Sequence, residues 1–523
     1  MILASHRIVT AMPSLAIAKI VATGMTFFLA MLVGTLMLDA TVRPRRHTGW
    51  RWQGLLLHIL VMTATFGFFL TISGSVVVAA VLVTTLMALF TISSNAKHAM
   101  LGEPLLFSDL ALIAALFRHP RFYFTAIPLR QRRALMLGGP GLPICFVLLF
   151  VPRIMPHAFG FGLLLAGIAG LLLLAVGGTL AGIAREPDVE ADLVRYGLVA
   201  TLLLYWWRWR ETPNPPARRG LTAPAGGADE PPCPEIIMVV QCESFADPVE
   251  LTGDPSYALP GLARARAAAA QWGDLHVSGF GAYTMRTEYG LLFGRSEAQL
   301  GFRRYDPFLT AHGETSYALS ARLATCGYRC SFVHPHDMRF YGRDRLMPAI
   351  GFRNLVGAEH FPPIPPGGGR YVNDRTLGAV LGDLANAADG PALLYAVTME
   401  NHGPWDTDAL AGSMTGLDAY LGHLRSSDMM LNELIDRLEA NGRSALLVFF
   451  GDHRPSIPGV TEPGGDRHTP YVMIRFDEDG RILPGDKRRA DLTPHALHSA
   501  ILDCVSAGRA VTGPGDILKP SVA

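Results

Sequence analysis

The sequence predicts an N-terminal bundle of transmembrane α-helices followed by a C-terminal α/β domain with a mainly parallel sheet. Three observations support this fold class. Apolar runs of membrane-spanning length fill the first part of the chain, a Pro/Gly-rich segment follows, and short apolar runs then alternate with helical patterns. We place the transmembrane region in residues 1–207, the linker in 208–233 and the second domain in 234–523.

The membrane region contains about five predicted spans. A crossing helix needs roughly 20 apolar residues. Runs of suitable length occur at 14–39, 54–73, 75–93, 134–152 and 158–184. The first run is too long, and carries Lys19 too near its centre, for an ordinary cleaved signal peptide. The segment 197–207 is short for a span and fits a juxtamembrane helix, with Trp206 and Trp207 at headgroup level.

The charged loops and the span count give different orientations for the second domain. One arginine-rich loop follows the first span and another separates the third from the fourth; they contain Arg43, Arg45, Arg46 and Arg51, then Arg118, Arg121, Arg130, Arg132 and Arg133. The positive-inside rule places both loops in the cytoplasm, and five spans would then leave the second domain there too. A crossing by 197–207 would move that domain outside.

Composition excludes some classes of protein. The formal net charge is +1 and no concentrated basic surface is evident, which argues against a nucleic-acid binder. The six cysteines lack the spacing of a metal site. Cys326 and Cys330 are close enough in sequence to bridge in an oxidising compartment, or they are two unrelated thiols.

Three short apolar runs in the second domain are typical of buried strands. They are EIIMVVQ at 235–241, ALLYAVT at 392–398 and SALLVFF at 444–450. Leucines at helical spacing between 416 and 440 predict a helix between the last two strands. Strands that alternate with helices indicate a mainly parallel sheet.

Each of these strands ends in a residue that can bind a ligand. Glu243 follows the first, His402 the second, and Asp452 and His453 the third. Each residue alone would also fit a turn or the protein surface. Ligands of such sheets bind beyond the carboxyl ends of the strands, where these side chains should meet. Two carboxylates, an imidazole and a hydroxyl suit Mn²⁺ or Mg²⁺, with Zn²⁺ as a further option.

The hydroxyl of this set comes from Thr284, in GFGAYTMRTEYG at 279–290. The pattern predicts a helix that begins near Thr284, so this threonine can be a helix cap. A helix N-terminus also attracts phosphate, and a metal ion on the hydroxyl would create a nucleophile. The cap and nucleophile interpretations are compatible.

Further candidate ligands lie in FVHPHDMRFYGR, at 332–343. His334 and Arg343 could bind a phosphate or glycerol group, with Arg343 in a two-pronged contact, and Tyr341 could close the pocket. A polar surface loop is the alternative. His468 precedes another apolar strand and is a weaker candidate for a metal or phosphate contact.

The ordered motifs resemble those of the lipoteichoic acid synthase and phosphoglycerol transferase family, in the alkaline phosphatase/sulfatase superfamily. They are CESF, TMRTEY, HPHDMRFYGR, ENHGPW and GDH, and KHAMLGEPLLFSDL at 97–110 resembles proteobacterial members. The resemblance implies a metal site, typically for Mn²⁺, and a glycerol-phosphate pocket. The implied metal ligands are Glu243, Thr284, Asp452 and His453, and the implied pocket residues are His334, Tyr341, Arg343 and His402.

The resemblance implies an enzyme of the bacterial inner membrane, with its catalytic domain on the periplasmic side. Thr284 would carry glycerol phosphate from phosphatidylglycerol to a glycan of the cell envelope. A phosphoethanolamine transferase, a metal-dependent phosphodiesterase and a non-catalytic glycan-binding module are the alternatives. Thr-Met-Arg stands where sulfatases carry CxPxR or SxPxR, which argues against sulfatase activity.

Overall fold

The computed structural model describes residues 22–45, 49–109, 150, 154–218, 233–365, 369–405, 416–464, 466–483, 485 and 488–506. The chain divides into two compact units, Met1–Thr212 and Pro213–Ala523.

The first unit is α-helical where it is described. Its helices are α1 Ala22–Ala40, α2 Trp52–Ser73, α3 Val76–Leu101, α4 Ile154–Val176, α5 Val189–Tyr196 and α6 Leu198–Glu211. The four helices α1 to α4 are long and apolar enough to cross a membrane. Apart from Phe150, the predicted span 134–152 lies outside the described residues, as does the arginine-rich loop before it.

Several predicted span boundaries in this unit are wrong. Helix α3 ends at Leu101, beyond the predicted end at 93, and α4 begins at Ile154, before the predicted start at 158. We predict a span to residue 184, whereas α4 ends at Val176. The pair Gly177–Gly178 follows, and Gly178 has a φ of +70°, a left-handed conformation that glycine adopts at no steric cost. Apolar residues continue beyond this point, so hydropathy alone overestimates the length of the helix.

Helices α2 and α4 pack through glycines. A Cβ atom on Gly167 would lie 2.7 Å from the backbone nitrogen of Ala64, and one on Gly160 would clash with the backbone at Thr71. Gly67 of α2 is equally close to the backbone of α4. Small residues let membrane helices approach closely, and dispersion contacts between them replace the hydrophobic effect, which is absent in lipid.

Helix α6 contains the predicted juxtamembrane segment and runs on to Glu211, into the range assigned to the linker. At 14 residues it is about 21 Å long, shorter than the hydrocarbon core of a bilayer. Its first residue, Leu198, donates its backbone N–H to Oδ1 of the buried Asp39 at 3.1 Å. This bond satisfies one of the free donors at the helix N-terminus. Most of the linker, 219–232, lies outside the described residues.

The second unit is built on a mixed sheet of eight described strands. They are β1 Ile236–Cys242, β2 Gln271–His276, β3 Arg329–Val333, β4 Asn354–Val356, β5 Ala392–Val397, β6 Ala445–Gly451, β7 His468–Phe476 and β8 Arg488–Arg489. Their order is β4-β3-β5-β1-β6-β7-β2-β8. Only β7 runs antiparallel to its neighbours β6 and β2, so the mainly parallel sheet is confirmed.

Helices pack around the sheet. They are α7 Pro248–Thr252, α8 Pro260–Ala268, α9 Thr284–Phe293, α10 Glu297–Leu300, α11 Leu319–Ala324, α12 Arg343–Ala349, α13 Asp374–Ala387, α14 Gly416–Asn441 and α15 Pro494–Ser506. The predicted leucine helix is α14, and its buried face joins β1, β5 and β6 in one core. The central strands are apolar on both faces because helices cover both sides of the sheet.

The sheet order brings the predicted ligands to one edge. Strands β3, β5, β1 and β6 are consecutive neighbours and all parallel. Neighbouring strands lie about 4.8 Å apart, so residues that follow their carboxyl ends are close in space. The residues that follow are His334, His402, Glu243 and Asp452.

The two cysteines that lie close together in the sequence form no disulfide. Cys326 and Cys330 are both free thiols. Cys330 is buried in β3, where burial raises the pKa of its thiol to about 12 and makes it a poor nucleophile.

Candidate active site

Four side chains meet at the carboxyl edge of the sheet. His453 Nε2 lies 3.3 Å from Glu243 Oε1 and 3.7 Å from Asp452 Oδ2. The Thr284 hydroxyl donates to Glu243 Oε2 at 3.3 Å. One ligand atom each from Glu243, Asp452 and His453 lie within 4.8 Å of one another, and all three residues are buried. The structure therefore brings together the four predicted metal ligands.

Backbone hydrogen bonds fix the two acidic residues. The N–H of Asp452 donates to the carbonyl of Cys242 at 3.2 Å, which extends the pairing of β1 with β6. Ser244 has a φ of +50°, a strained conformation for a residue other than glycine, and its N–H donates to Asp452 Oδ1 at 2.8 Å. The N–H of Glu243 donates to the Thr398 hydroxyl, at the end of β5. Residues of three adjacent strands and the turns after them thus hold the backbone of Glu243 and Asp452 and the carboxylate of Asp452 in place.

Thr284, which we predict at or near the helix cap, lies one position after the observed cap residue. The N-cap residue is Tyr283, with a φ of +77° and no side-chain capping bond, and Thr284 is the first residue of α9. The hydroxyl of Thr284 is directed at Glu243 instead of at the backbone of its own helix. A second threonine, Thr287, donates to the backbone carbonyl of Asp452 at 2.7 Å and ties α9 to β6.

The three charged groups perturb one another strongly. Burial and the Glu243 carboxylate raise the pKa of Asp452 to about 7. Burial acts to raise the pKa of Glu243, but the charge and hydrogen bond of His453 outweigh it and lower the pKa to about 2. Burial also opposes ionisation of His453, yet Asp452 and Glu243 raise its pKa to about 9. Two carboxylates in one buried site can both be ionised only if a positive charge lies close to them.

This site fits a divalent cation. Among the described residues, Asp452 Oδ2 is buried and has no hydrogen-bond partner, which is costly for a carboxylate oxygen. A cation between Asp452, Glu243 and His453 would satisfy that oxygen and take over the positive charge that the protonated His453 provides without it. Carboxylate oxygens, an imidazole nitrogen and a hydroxyl suit Mn²⁺, Mg²⁺ or Zn²⁺.

His334 and Arg343 lie together beside this centre. His334 Nδ1 lies 2.9 Å from the carbonyl of Val397, and its Nε2 lies 3.3 Å from Arg343 Nη1. Burial and the Arg343 charge hold the pKa of His334 well below its usual value, so the imidazole is neutral. The two-pronged contact that we predict between Arg343 and phosphate is made here with Glu288.

Tyr341 lies beside Arg343, and His402 follows β5, the strand next to β3. Tyr341 has a φ of +57°, and its ring lies 5.2 Å from the Arg343 guanidinium carbon. His402 Nδ1 lies 2.7 Å from the carbonyl of Gly403, and its ring centre lies 5.9 Å from that of Tyr371. The charge of His402 also acts to lower the pKa of Glu243, which links the loop after β5 to the metal-binding residues.

His468 belongs to a different group of side chains. Its Nε2 lies 2.7 Å from Arg454 Nη2 and 3.0 Å from Glu250 Oε2. His468, Glu250 and Asp274 form a second group of acidic and histidine side chains, which is partly exposed and separate from the first. The structure therefore does not place His468 among the other predicted site residues.

A buried polar network supports the loop that carries His402. The carboxylate of Glu400 accepts hydrogen bonds from the N–H of Asp374, at the start of α13, and from Ser426 of α14. Ser427 donates to Asp374 Oδ2 at 2.7 Å. Burial and Glu400 raise the pKa of Asp374 to about 7. The network joins α13 and α14 to the loop after β5.

Sequence reasoning missed several of these supporting residues. Glu288 lies four positions after Thr284, on the same face of α9, so helical spacing could have indicated it. Ser244 directly follows Glu243 within CESF, but nothing in the sequence indicates its left-handed backbone. Thr398 reaches the site through the sheet order, and Asp374 through the packing of α13 against the loop after β5; no local pattern reveals either.

Comparisons with known proteins agree with this architecture. The profile of the Sulfatase family matches residues 235–506, just over half of the chain. The capsular polysaccharide biosynthesis protein RkpI of Rhizobium meliloti (strain 1021) is 29% identical over 468 residues, which make up 86% of each protein. A putative cyclic beta-1,2-glucan modification protein of the same organism is 26% identical over 246 residues, 44% of this chain and 37% of that protein.

A solved structure shares the fold of both units. The integral membrane protein lipooligosaccharide phosphoethanolamine transferase A (EptA) from Neisseria meningitidis matches with a TM-score of 0.55 at 12% identity. The match covers 92% of this chain and 95% of EptA. The predicted fold class, a helical membrane region followed by a sulfatase-like domain, is confirmed.

Proposed function

Since the chain belongs to the Sulfatase family, we propose that it is a membrane-anchored phosphotransferase that moves glycerol phosphate from phosphatidylglycerol to a glycan of the cell envelope. Thr284 carries the group as a covalent intermediate. The observation that supports this most directly is the Thr284 hydroxyl, which lies at the N-terminus of α9 and 3.3 Å from a carboxylate of the candidate metal centre.

In the first step Thr284 Oγ1 forms a bond to the phosphorus of the donor and gives up its proton. The bond from phosphorus to the diacylglycerol oxygen breaks, and that oxygen takes up a proton. The backbone N–H groups at the start of α9 face the phosphate, and the helix dipole favours its negative charge. We assign His402 to the leaving oxygen, as its positioning residue or its acid.

Glu243, Asp452 and His453, with Thr284 as fourth ligand, would hold the metal ion. A bound divalent cation, Mn²⁺ in our proposal with Mg²⁺ or Zn²⁺ as alternatives, would lower the pKa of the hydroxyl and neutralise charge on the phosphoryl group. Ser244 keeps the two carboxylates in position, because its N–H donates to Asp452 Oδ1 and its hydroxyl donates to Glu243 Oε1. Thr398 holds the backbone of Glu243.

In the second step a hydroxyl of the acceptor glycan attacks the same phosphorus. The bond from phosphorus to Thr284 Oγ1 breaks, and the proton of the acceptor hydroxyl replaces the lost proton on Thr284. The products are diacylglycerol, which stays in the membrane, and a glycan that carries glycerol phosphate. With water as acceptor the same steps would amount to phosphodiester hydrolysis.

The wall formed by His334, Tyr341 and Arg343 favours a glycerol headgroup. It presents a neutral imidazole, a phenol and a guanidinium, and the nearby carboxylate of Glu288 is paired with Arg343. The ammonium group of ethanolamine would need an acidic partner, and Arg343 already occupies this carboxylate. A hydroxyl of glycerol needs no charged partner and can hydrogen-bond to the phenol of Tyr341.

The membrane helices support a lipid donor and a location in the bacterial inner membrane. Four described helices can cross a bilayer, so the donor headgroup need not leave the membrane to reach the enzyme. We place the second unit on the periplasmic side, where glycans of the envelope are accessible. Two relatives whose names refer to a capsular polysaccharide and a cyclic glucan support a glycan acceptor.

The second candidate function is phosphoethanolamine transfer. It is favoured by the likeness to EptA, named as a phosphoethanolamine transferase, which covers both units of this chain. The two functions would share Thr284 and the metal ligands. They differ in the donor headgroup alone, so a donor assay separates them.

The experiment uses full-length protein in detergent with fluorescent phosphatidylglycerol or phosphatidylethanolamine, with and without Mn²⁺. Release of fluorescent diacylglycerol is followed for the wild type, for Thr284→Ala and for the control Thr252→Ala, whose hydroxyl bonds to nearby backbone, the carbonyl of Pro248 and the N–H of Asp254. We expect Mn²⁺-dependent release from phosphatidylglycerol that Thr284→Ala alone abolishes. Release from phosphatidylethanolamine instead would move the assignment to the second candidate. A protein that binds metal but releases neither lipid would contradict both.

A further inference from the structure

A basic cavity of about 470 Å³ lies along the helix that carries the nucleophile. Arg286, Thr287 and Gly290 of α9 form one wall, and the segment around Ser278 forms another. The start of α15, at Pro494, closes a third side. The proposed donor pocket, at His334 and Arg343, does not share these residues.

Positive charge dominates the lining of the cavity. The lining contains four arginines, at positions 286, 295, 304 and 467, and one carboxylate, that of Glu297; His276 and His495 also belong to it. The buried Glu314 offsets the charge of Arg295. Local contacts hold the other guanidinium groups in place. Arg467 Nη1 donates to the carbonyl of Ser278 at 2.7 Å, and the guanidinium of Arg286 lies 3.9 Å from the ring centre of Tyr283. Arginines ordered in advance lose little freedom when they bind an anion.

The cavity is one helical turn from the reacting hydroxyl. Thr287 belongs to its lining and also donates to the backbone of Asp452. Thr284 and Thr287 are three positions apart on α9, which places their side chains about 5–6 Å apart on neighbouring turns. A group bound in the cavity is therefore close enough to direct an adjoining part of the same molecule to Thr284.

The side chains that line the cavity indicate which kind of molecule it binds. In the proposed reaction the donor phosphate is held at Thr284 and the metal ligands, so the second anion must belong to the acceptor. Planar guanidinium groups pair with planar carboxylates through two parallel hydrogen bonds. The volume lies within the range of small-molecule sites and leaves room for a short segment of glycan.

We infer that this cavity binds a carboxylate-bearing sugar unit of the acceptor glycan and places a neighbouring hydroxyl at the phosphorylated Thr284. The substrate class is thus an acidic polysaccharide. The acceptor role rests on the proposed function, whereas binding of an acidic sugar in the cavity can be measured without any turnover.

The first test measures binding to full-length protein in detergent by calorimetry. The probes are a glucuronic acid oligosaccharide, a neutral glucose oligosaccharide of equal length and sn-glycerol phosphate. Arg467→Gln and Arg304→Gln each remove one cavity guanidinium, and Arg481→Gln is the control on an exposed turn. We expect the acidic oligosaccharide to bind about tenfold more weakly to either cavity variant and equally to the control. Thermal unfolding shows which variants are folded.

The outcomes separate this inference from the proposed function. Equal binding of the acidic and neutral oligosaccharides would overturn the inference, and so would tighter binding of sn-glycerol phosphate, which would assign the cavity to a phosphate. Diacylglycerol release is measured in parallel on the wild type. Release without selective binding leaves the proposed function in place and removes this inference. Selective binding that both cavity variants weaken, without release, supports the cavity and contradicts the proposed function.

Discussion

Arg343 and Glu288 form a two-pronged ion pair that is shielded from solvent. Arg343 Nε lies 3.1 Å from one carboxylate oxygen of Glu288, and Nη2 lies 2.6 Å from the other. The side chains are 2% and 0% exposed. The remaining nitrogen, Nη1, faces His334. The pair joins α12 to α9, so one contact connects Arg343 of the proposed donor pocket to the helix that begins with Thr284.

Glu288→Gln should destabilise the protein by about 3 kcal/mol, because it leaves the buried Arg343 charge without its partner. Thermal or denaturant unfolding in detergent measures the loss. Glu359→Gln, at an exposed carboxylate, is the control and should change stability little. Equal effects of the two substitutions would show that the buried pair contributes no more than a surface charge does.

Asp452→Asn should stabilise the metal-free protein and remove its response to metal. Burial and Glu243 raise the pKa of Asp452, so this carboxyl costs stability as the pH rises from about 4 to about 7. The amide removes that cost and also weakens the ligand set. Unfolding temperatures with EDTA and with Mn²⁺ test both effects, with the exposed Asp466→Asn as control. An Asn variant that gains as much from Mn²⁺ as the wild type would remove Asp452 from the ligand set.

Metal affinity should rise steeply with pH. Binding needs an ionised Asp452 and a neutral His453, and the pKa values of these groups in the metal-free protein are about 7 and about 9. Protons are therefore released on binding, and we expect the affinity to increase about a hundredfold or more between pH 6 and pH 8. Competition with a fluorescent chelator in detergent measures it. An affinity for Mn²⁺ that is constant over this range would contradict the proposed ligands.

Gly160→Val should destabilise the membrane unit, and Gly162→Val in the same helix should not. A Cβ on Gly160 meets the backbone of α2, whereas a Cβ on Gly162 has no atom within 4 Å among the described residues. A backbone atom cannot move aside as a flexible side chain does, so the helices must separate. Unfolding temperature in detergent, followed by circular dichroism, compares the two. A similar loss in both variants would point to helix propensity instead of packing.

Local sequence patterns predict the helices and strands of this protein better than they predict which side chains pair with one another. The strand predicted at 235–241 is observed one residue later, at Ile236–Cys242. It could be predicted because a short β-branched run clearly favours a β-strand. The meeting of Glu243 with Asp452 also follows from the sequence, since parallel strands end at one edge. The partner of Arg343 does not follow, because α9 and α12 meet only through tertiary packing. The same holds for His468, which pairs with Glu250.

The metal centre has a further consequence for synthesis of the protein on the ribosome. Ser244 and Asp452, which hydrogen-bond at the site, are 208 positions apart in the chain. A nascent chain therefore carries Glu243 and Thr284 long before it has Asp452 and His453. The ligand set is complete only when β6 pairs with β1, a late event in N-to-C synthesis. In the proposed reaction, Thr284 therefore has no complete set of metal ligands to activate it until the last part of the domain has been synthesised.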